Sequence, residues 1–396
     1  MGDRWTLSQI LGWQAQFAWN VGDPLAARTA GEEGYDVANA LGDPYTSYQC
    51  RTWIGWAQMI TGDLAGALAQ FREVGTEAEA GHDPLWWMAS TILEGQVLTH
   101  RGDTSAAGAV VDAAMAIAAE VGELHLGMAN GLRAITALAA GDVAAADEAS
   151  ETAQQLIGTP AWQRLFLAYL RAELALARGD VTGARRWADE AVSVTTGWWL
   201  VVALTTRARV ATAQGEPQHA ERDAHDALAH AVGINAQLGV PDILELLATL
   251  AVDAGDYRQA VRQFGAAEAI RQRIGVVRFK IHHADYDASV ARARDALGGS
   301  DFDAARAEGA ALSTEEAIAY AQRGRGKRKR PTKGWGSLTP TERDVVRLVG
   351  EGLANKDVAT RLFISARTVE THLTHVYTKL GLASRVQLVQ EAARHT

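Results

Sequence analysis

The stretch SARTVETHLTHVYTKLGL, Ser365 to Leu382, has the periodicity of a helix with one apolar stripe. Val369, Leu373, Val376 and Leu380 recur at intervals of four, three and four, which places them on a single helical face. Arg367, Thr371, Thr374 and Thr378 fall on the opposite face, with Glu370 and His375 flanking them. Ser365 is placed to cap this helix and Gly381 to end it. A small helical unit has no packing use for the polar stripe, so that face is either plain solvent surface or a surface that reads something.

Working outward, Thr339-Pro340-Thr341-Glu342 has the form of a capping box with proline at the first helical position. Val345, Val346, Leu348 and Val349 supply the apolar face of that helix, up to Gly350 and Gly352. Asn355 is expected to cap a second helix bearing Val358, Ala359 and Leu362, and Ser384 a fourth bearing Val386, Leu388 and Val389. Only a short turn through Phe363 and Ile364 separates the second helix from Ser365. That is helix-turn-helix spacing, in which the second helix of the pair enters the major groove.

These residues carry a family resemblance. LTPTERDVVRLVGEGLANKDVATRLFISARTVETHLTHVYTKLGLASR closely resembles the LuxR-type helix-turn-helix domain, over roughly residues 336–396. The matching positions include Leu338-Thr339, Glu342, Gly352, Asn355-Lys356, Ala359, Leu362, Ser365, Thr368-Val369, His372, Lys379-Leu380-Gly381 and Arg385. The resemblance implies a four-helix unit whose fourth helix pairs two protomers across a DNA two-fold, with Val386 and Val389 as dimerisation positions. Within a DNA-binding segment of about 355–374, it implies that Glu370, Thr371 and Thr374 face base edges. It sets Arg367, Thr368, Lys379, Ser384 and Arg385, with Lys356 on the second helix, near phosphates, and Ser365 and His375 beside them. Glu370 departs from the cation that many relatives have there; a glutamate can accept from cytosine N4 or repel non-specific DNA.

The charge is divided unevenly along the 396 residues, whose net charge is −9. Met1–Tyr320 holds 23 Lys and Arg against 41 Asp and Glu, whereas Ala321–Thr396 holds 15 against 6, so −18 stands beside +9. Such asymmetry points to an anion-binding tail on an acidic body. Between them QRGRGKRKRPTKGWG, Gln322 to Gly336, contains seven basic residues and is too polar to bury. It is read as a linker, either a soluble tether or one whose Lys327, Arg328, Lys329 and Arg330 add phosphate contacts.

The acidic body contains a repeat. Glycines, mostly followed by Asp, stand at 22, 62, 102, 141, 179, 215 and 255, at intervals of 36 to 40 residues. Five residues after each stands alanine, and seven before each stands alanine or glycine. Each unit is therefore a helical hairpin: a first helix, a Gly-Asp turn with the Asp capping the next helix, and a second helix crossing the first at the small residues. The pattern resembles the tetratricopeptide repeat, with longer units, and implies an all-α solenoid with a concave face. A degenerate eighth unit is expected, with Ala293 and Ala305 flanking a turn near Ser300, followed by a closing helix capped by Ser313 and Glu316.

Eleven of the twelve tryptophans lie in this body. A column seventeen residues before the glycines includes Trp5, Tyr45, Trp162 and Trp198, and the next column includes Trp86, His125 and Trp199. They are read either as inter-repeat packing or as an aromatic effector groove formed by Trp86, His125, Trp162, Trp198 and Trp199.

Joined together, the two parts resemble the C-terminal portion of large ATP-binding LuxR-type regulators. The nucleotide-binding domain is missing from this sequence: Gly326-Lys327 is followed by Arg328 and lacks the earlier glycine of a P-loop. The chain is either a stand-alone regulator or part of a longer one. No catalytic motif is found, and neither His282-His283 with Asp285 nor His225 with His230 is read as a metal site, so no enzyme, cofactor or metal is expected. The single Cys50 allows no internal disulfide, and neither a signal segment nor a membrane span is expected, which fits a cytoplasmic protein.

The expected assignment is a body over 1–320, a basic linker over 321–336 and a DNA-binding domain over 337–396. The expected function is a sequence-specific transcriptional regulator, an activator, that is homodimeric on double-stranded promoter DNA. It acts on RNA polymerase and answers to an unknown small-molecule or protein effector at the repeats. The rival is a repeat-based interaction adaptor with only a weak DNA tether.

Overall fold

In a computed structural model of the chain, residues 3–157, 160–324, 334–335, 338, 340–350, 352–362, 366–382 and 384–395 are described, and no strand occurs among them. Seven hairpins follow one another: α1 (Arg4–Val21) with α2 (Pro24–Leu41), α3 (Pro44–Thr61) with α4 (Leu64–Ala80), α5 (Pro84–His100) with α6 (Thr104–Val121), and α7 (Glu123–Ala140) with α8 (Val143–Leu156). Next come α9 (Pro160–Ala177) with α10 (Val181–Val194), α11 (Gly197–Ala213) with α12 (Pro217–Gly233), and α13 (Val240–Asp253) with α14 (Tyr257–Ile274). The chain folds this way because the Gly-Asp pairs, except Gly255-Asp256 where the Asp side chain makes no capping bond, perform two jobs at once. At the first turn Gly22 takes φ 74°, and the Asp23 N–H donates back to Ala18 O at 2.9 Å, closing α1. The Asp23 carboxylate then accepts from the N–H groups of Leu25 and Ala26, opening α2. The same pairing recurs at Asp63, Asp103, Asp142 and Asp180.

The two small-residue columns sit where the helices cross. Ala27, Ala67, Ala107, Ala146, Ala184, Ala220 and Ala260 are fully buried, as are Ala15, Ala134, Ala172, Ala208 and Ala248. At Gly55, a Cβ would meet the Phe71 ring at 2.7 Å, so only glycine admits that side chain.

An eighth hairpin follows, α15 (His283–Leu297) with α16 (Gly299–Ala310), with Ala293 and Ala305 buried. Its turn, expected near Ser300, falls two residues before it at Gly298, φ 76°, where glycine takes a positive φ cheaply. Ser313 caps α17 (Thr314–Gly324) in the reciprocal manner expected: Glu316 N–H donates to Ser313 Oγ at 3.1 Å and Ser313 N–H to Glu316 Oε2 at 2.8 Å.

The repeats curl through a complete turn. Trp198 N–H at the start of α11 donates to Gly22 O at 2.7 Å, and Thr196 Oγ1 donates to Val21 O at 2.9 Å. The sixth hairpin thus lands on the first, and the concave face becomes a lumen. After α14 the chain returns into that lumen as an irregular strap, in which Val277 N–H donates to His100 O at 2.8 Å.

Contacts divide the chain between Gln322 and Arg323. The body therefore runs slightly past residue 320, since Ala317 and Ala321 on α17 are buried in its core. At the other end of the expected linker, Trp335 packs on the C-terminal core and Gly334 N–H donates to Lys379 O at 2.6 Å. Helix α6 averages a hydropathy of 1.4 over 18 residues, long and apolar enough to span a membrane by length and composition alone. Its apolarity is an alanine-rich hairpin face: Ala107, Val111, Ala114, Ile117 and Ala118 are buried against its neighbours.

The C-terminal unit consists of α18 (Pro340–Gly350), α19 (Asn355–Leu362), α20 (Ala366–Leu380) and α21 (Arg385–His395). Leu338, Val345, Val346, Leu348, Val349, Val358, Val369, Leu373, Val376 and Leu388 form its core.

Candidate functional site

Helix α20 is held by the stripe read from sequence: Val369 and Val376 are fully buried, Leu373 is 5% exposed and Leu380 half-buried. Gly381 ends it at φ 68°, with Leu382 N–H donating to Tyr377 O at 2.9 Å. Glu370, Thr371, Thr374, His375 and Thr378 are exposed on the remaining surface, and Lys356 is exposed on α19. Thr374 and Thr378 donate their hydroxyl protons to the carbonyls of Glu370 and Thr374, at 2.9 and 3.0 Å. Each therefore offers a partner its oxygen lone pairs and its methyl group rather than a donor. Thr368 is half-buried.

Three residues expected near phosphate have structural work. Lys379 Nζ lies 2.7 and 2.9 Å from the carboxylate oxygens of buried Glu342, tying α20 to α18. Arg385 Nη1 donates to Asn355 Oδ1 at 2.7 Å and Nη2 donates to Leu353 O, tying α21 to the start of α19. Asn355 is thereby the first residue of α19 rather than its cap, and Ala354 O accepts from Val358 N–H in the cap position. Ser384 Oγ accepts from Gln387 N–H at 3.3 Å, capping α21. Val389 is half-buried against the unit's own core. Ser365, Thr339 and Lys327–Arg330 lie outside the described residues, as do the side chains of Arg367, Val386 and Trp162.

In the body, the first helix of each of the first seven hairpins lines the lumen. An apolar cavity of about 320 Å³ is walled by α1, α3, α5, α7, α9 and α11. Trp86, His125 and Trp199 meet there, whereas Trp198 lines an adjoining cavity of about 150 Å³. The rings that line the cavity also pack on one another. Trp19 stacks on Trp53 at 4.6 Å, Trp53 meets Trp86 edge-on at 5.9 Å, and Trp199 Nε1 donates to Trp19 O at 3.1 Å. Trp13 and Trp53, which the sequence reading passed over, share with Leu93 and Leu132 the column nine residues before the glycines, and all four line the larger cavity. That column was the available signal.

The smaller cavity has a charged floor. Arg209 holds Glu173 at 2.8 Å and Asp242 at 3.3 Å, and Arg271 pairs with Asp242 and with Glu245 at 3.0 Å. Burial opposes ionisation of Glu173, but Arg209 and His282 outweigh it and hold the carboxyl below its usual range. The strap's His282 is pushed down to about 4 by burial and by Arg209. His100 falls likewise to about 4, chiefly by burial. Among the described residues no cluster of His, Cys, Asp and Glu is arranged to hold a metal ion.

Residues 336–392 match the family model described as bacterial regulatory proteins, luxR family. The whole chain is 54% identical over 392 residues to the "Putative HTH-type transcriptional regulator Rv0890c" of Mycobacterium tuberculosis (strain H37Rv), covering 99% of this chain and 44% of that protein. It has the same identity and coverage to the "Putative HTH-type transcriptional regulator Mb0914c" of Mycobacterium bovis. The oxygen regulatory protein NreC of Staphylococcus aureus is 44% identical over 57 residues, 14% of this chain and 26% of its own length. The chain thus spans less than half the length of the mycobacterial relatives it matches.

Proposed function

From a C-terminal unit that is a LuxR-family helix-turn-helix domain, we propose that the chain is a sequence-specific transcriptional regulator whose repeat body senses an effector. The observation that carries this is the two-faced character of α20. One face is committed to the core through Val369, Leu373 and Val376, while Glu370, Thr371, Thr374 and Thr378 stand exposed on the other. The surrounding chain adds 15 Lys and Arg against 6 Asp and Glu from residue 321 onward. Phosphate contacts from Arg367, Thr368, Lys356 and Lys327–Arg330 supply affinity, and Glu370, Thr371 and Thr374 supply base readout. Two protomers pair through α21, at Val386 and Val389, on a two-fold operator. The bound dimer acts in the cytoplasm as an activator that engages RNA polymerase. The acidic body, at −18, limits non-specific attachment to the polyanion.

The test is a shift assay on promoter fragments with the full chain. Arg367→Ala and Thr371→Ala should each abolish the sequence-specific complex. Binding that depends on salt alone, and survives both changes, would favour the adaptor with a weak DNA tether. Val386→Asp should lower operator affinity and remove cooperativity; unchanged cooperativity would rule out pairing through α21.

A further inference from the structure

We infer that the aromatic end of the repeat lumen binds a neutral, flat, largely aromatic small molecule bearing a hydrogen-bond acceptor. The inference rests on the effector-sensing reading above and names the chemistry of that effector. Four features of the cavity carry it.

The first is size. Protein interiors seldom leave voids larger than a water molecule, yet about 320 Å³ stands open here, within the range of small-molecule pockets. Its mouth is marked by Trp13 and Tyr45, 61% and 41% exposed, while Trp19, Trp53, Trp86 and Trp199 are buried deeper. Closure of the superhelix produces this space, since Trp199 reaches it from α11 across 180 positions of sequence from Trp19.

The second feature is charge. Among the described residues no Asp, Glu, Lys or Arg lines the larger cavity, and the His125 ring is held below its usual pKa by burial. An ion placed there would lose its hydration with no counter-charge to replace it. The guanidinium and carboxylate groups of the neighbouring floor are committed to one another through Glu173, Arg209, Asp242 and Arg271. A charged ligand is disfavoured at both ends.

The third is unmet hydrogen bonding. The indole N–H groups of Trp53 and Trp86 have no hydrogen-bond partner, although the two residues are only 5% and 4% exposed. Buried donors are ordinarily satisfied, and both tryptophans line this cavity, so a ligand acceptor that reaches either indole nitrogen meets an unused donor. Flat aromatic faces between them favour a stacked or edge-on ring over a saturated chain.

The fourth is access for a test. Among the described residues, a Cβ on Gly131, on the cavity wall, would meet only Leu167, at 3.7 Å. A larger side chain there enters the lumen without striking backbone, and replacing glycine inside α7 favours the helix.

The full chain is titrated with N-phenyl-1-naphthylamine, which fluoresces in apolar surroundings, and with 1-anilinonaphthalene-8-sulfonate, the same ring system carrying a negative charge. Saturable binding of the neutral probe is expected, at least tenfold tighter than the sulfonate. Gly131→Leu should weaken it at least tenfold with an unchanged or higher melting temperature. Flavone, neutral and flat with a carbonyl acceptor, should displace the probe, and Trp86→Phe should weaken flavone more than it weakens the probe itself. Binding that survives Gly131→Leu, or that favours the sulfonate, would overturn the proposal. Operator affinity measured with the same compounds separates the two readings. Lumen binding without any change in operator affinity upholds the ligand class and rejects sensing. A response elicited only by charged compounds keeps sensing and rejects the class.

Discussion

Lys379 lies in the last turn of α20, where a cation near DNA suggests a phosphate contact, yet its ammonium is engaged by Glu342, a carboxylate 3% exposed. Removing the ammonium takes from that buried carboxylate its ion pair across the helices. Lys379→Ala should therefore destabilise the C-terminal unit by about 2–3 kcal/mol, below the full range for a wholly buried pair because Lys379 is itself 26% exposed. Thermal unfolding should show the loss, and DNA binding should fall in proportion to the unfolded fraction. Glu370 works in the opposite sense, as an acid exposed on the proposed reading face. Glu370→Lys should strengthen binding to random-sequence duplex and steepen the dependence of log affinity on log salt by about 1. An unchanged slope would mean that position 370 does not approach the backbone.

At the scale of elements, the Gly-Asp turns look equivalent in sequence but are not equivalent in the fold. Gly179 has φ 77° with nothing within 4 Å of an added Cβ, so Gly179→Ala meets only left-handed strain, about 1–2 kcal/mol. Gly22 has φ 74°, and its Cβ would sit 2.6 Å from Trp198 N, inside the contact that closes the superhelix. Gly22→Ala adds an overpacking cost of about 1–3 kcal/mol to the same strain. Urea unfolding of the body should separate the two variants, and equal losses would mean that the closure contributes nothing to stability.

At the scale of the whole molecule, the buried histidines predict how the body responds to acid. His100 and His282 have pKa values near 4 in the fold, against 6.5 for an unperturbed imidazole. Between those values the unfolded chain binds more protons, so their contribution is complete above pH 6.5 and is lost as pH falls toward 4. The slope is up to about 1.4 kcal/mol per pH unit for each histidine. Chemical unfolding of the body measured across that window should show it, and the double variant His100→Gln, His282→Gln should flatten it.

Sequence alone determined the helical hairpins, the small-residue crossings, the Ser313 cap and the buried stripe of α20. All of these depend on residues within a few positions of one another, where turn chemistry and helical periodicity act directly. It also separated the basic tail from the acidic body, because charge composition needs no geometry. The closure of the repeats, the strap in the lumen and the pairing of Lys379 with Glu342 were decided by tertiary structure. Thr196 meets Val21 across 175 positions, and small rotations added over five hairpins decide whether two such groups touch. The aromatic columns could not distinguish packing from a cavity for the same reason. A tryptophan's neighbours in the next hairpin depend on superhelical curvature, and here that curvature made one wall serve both purposes.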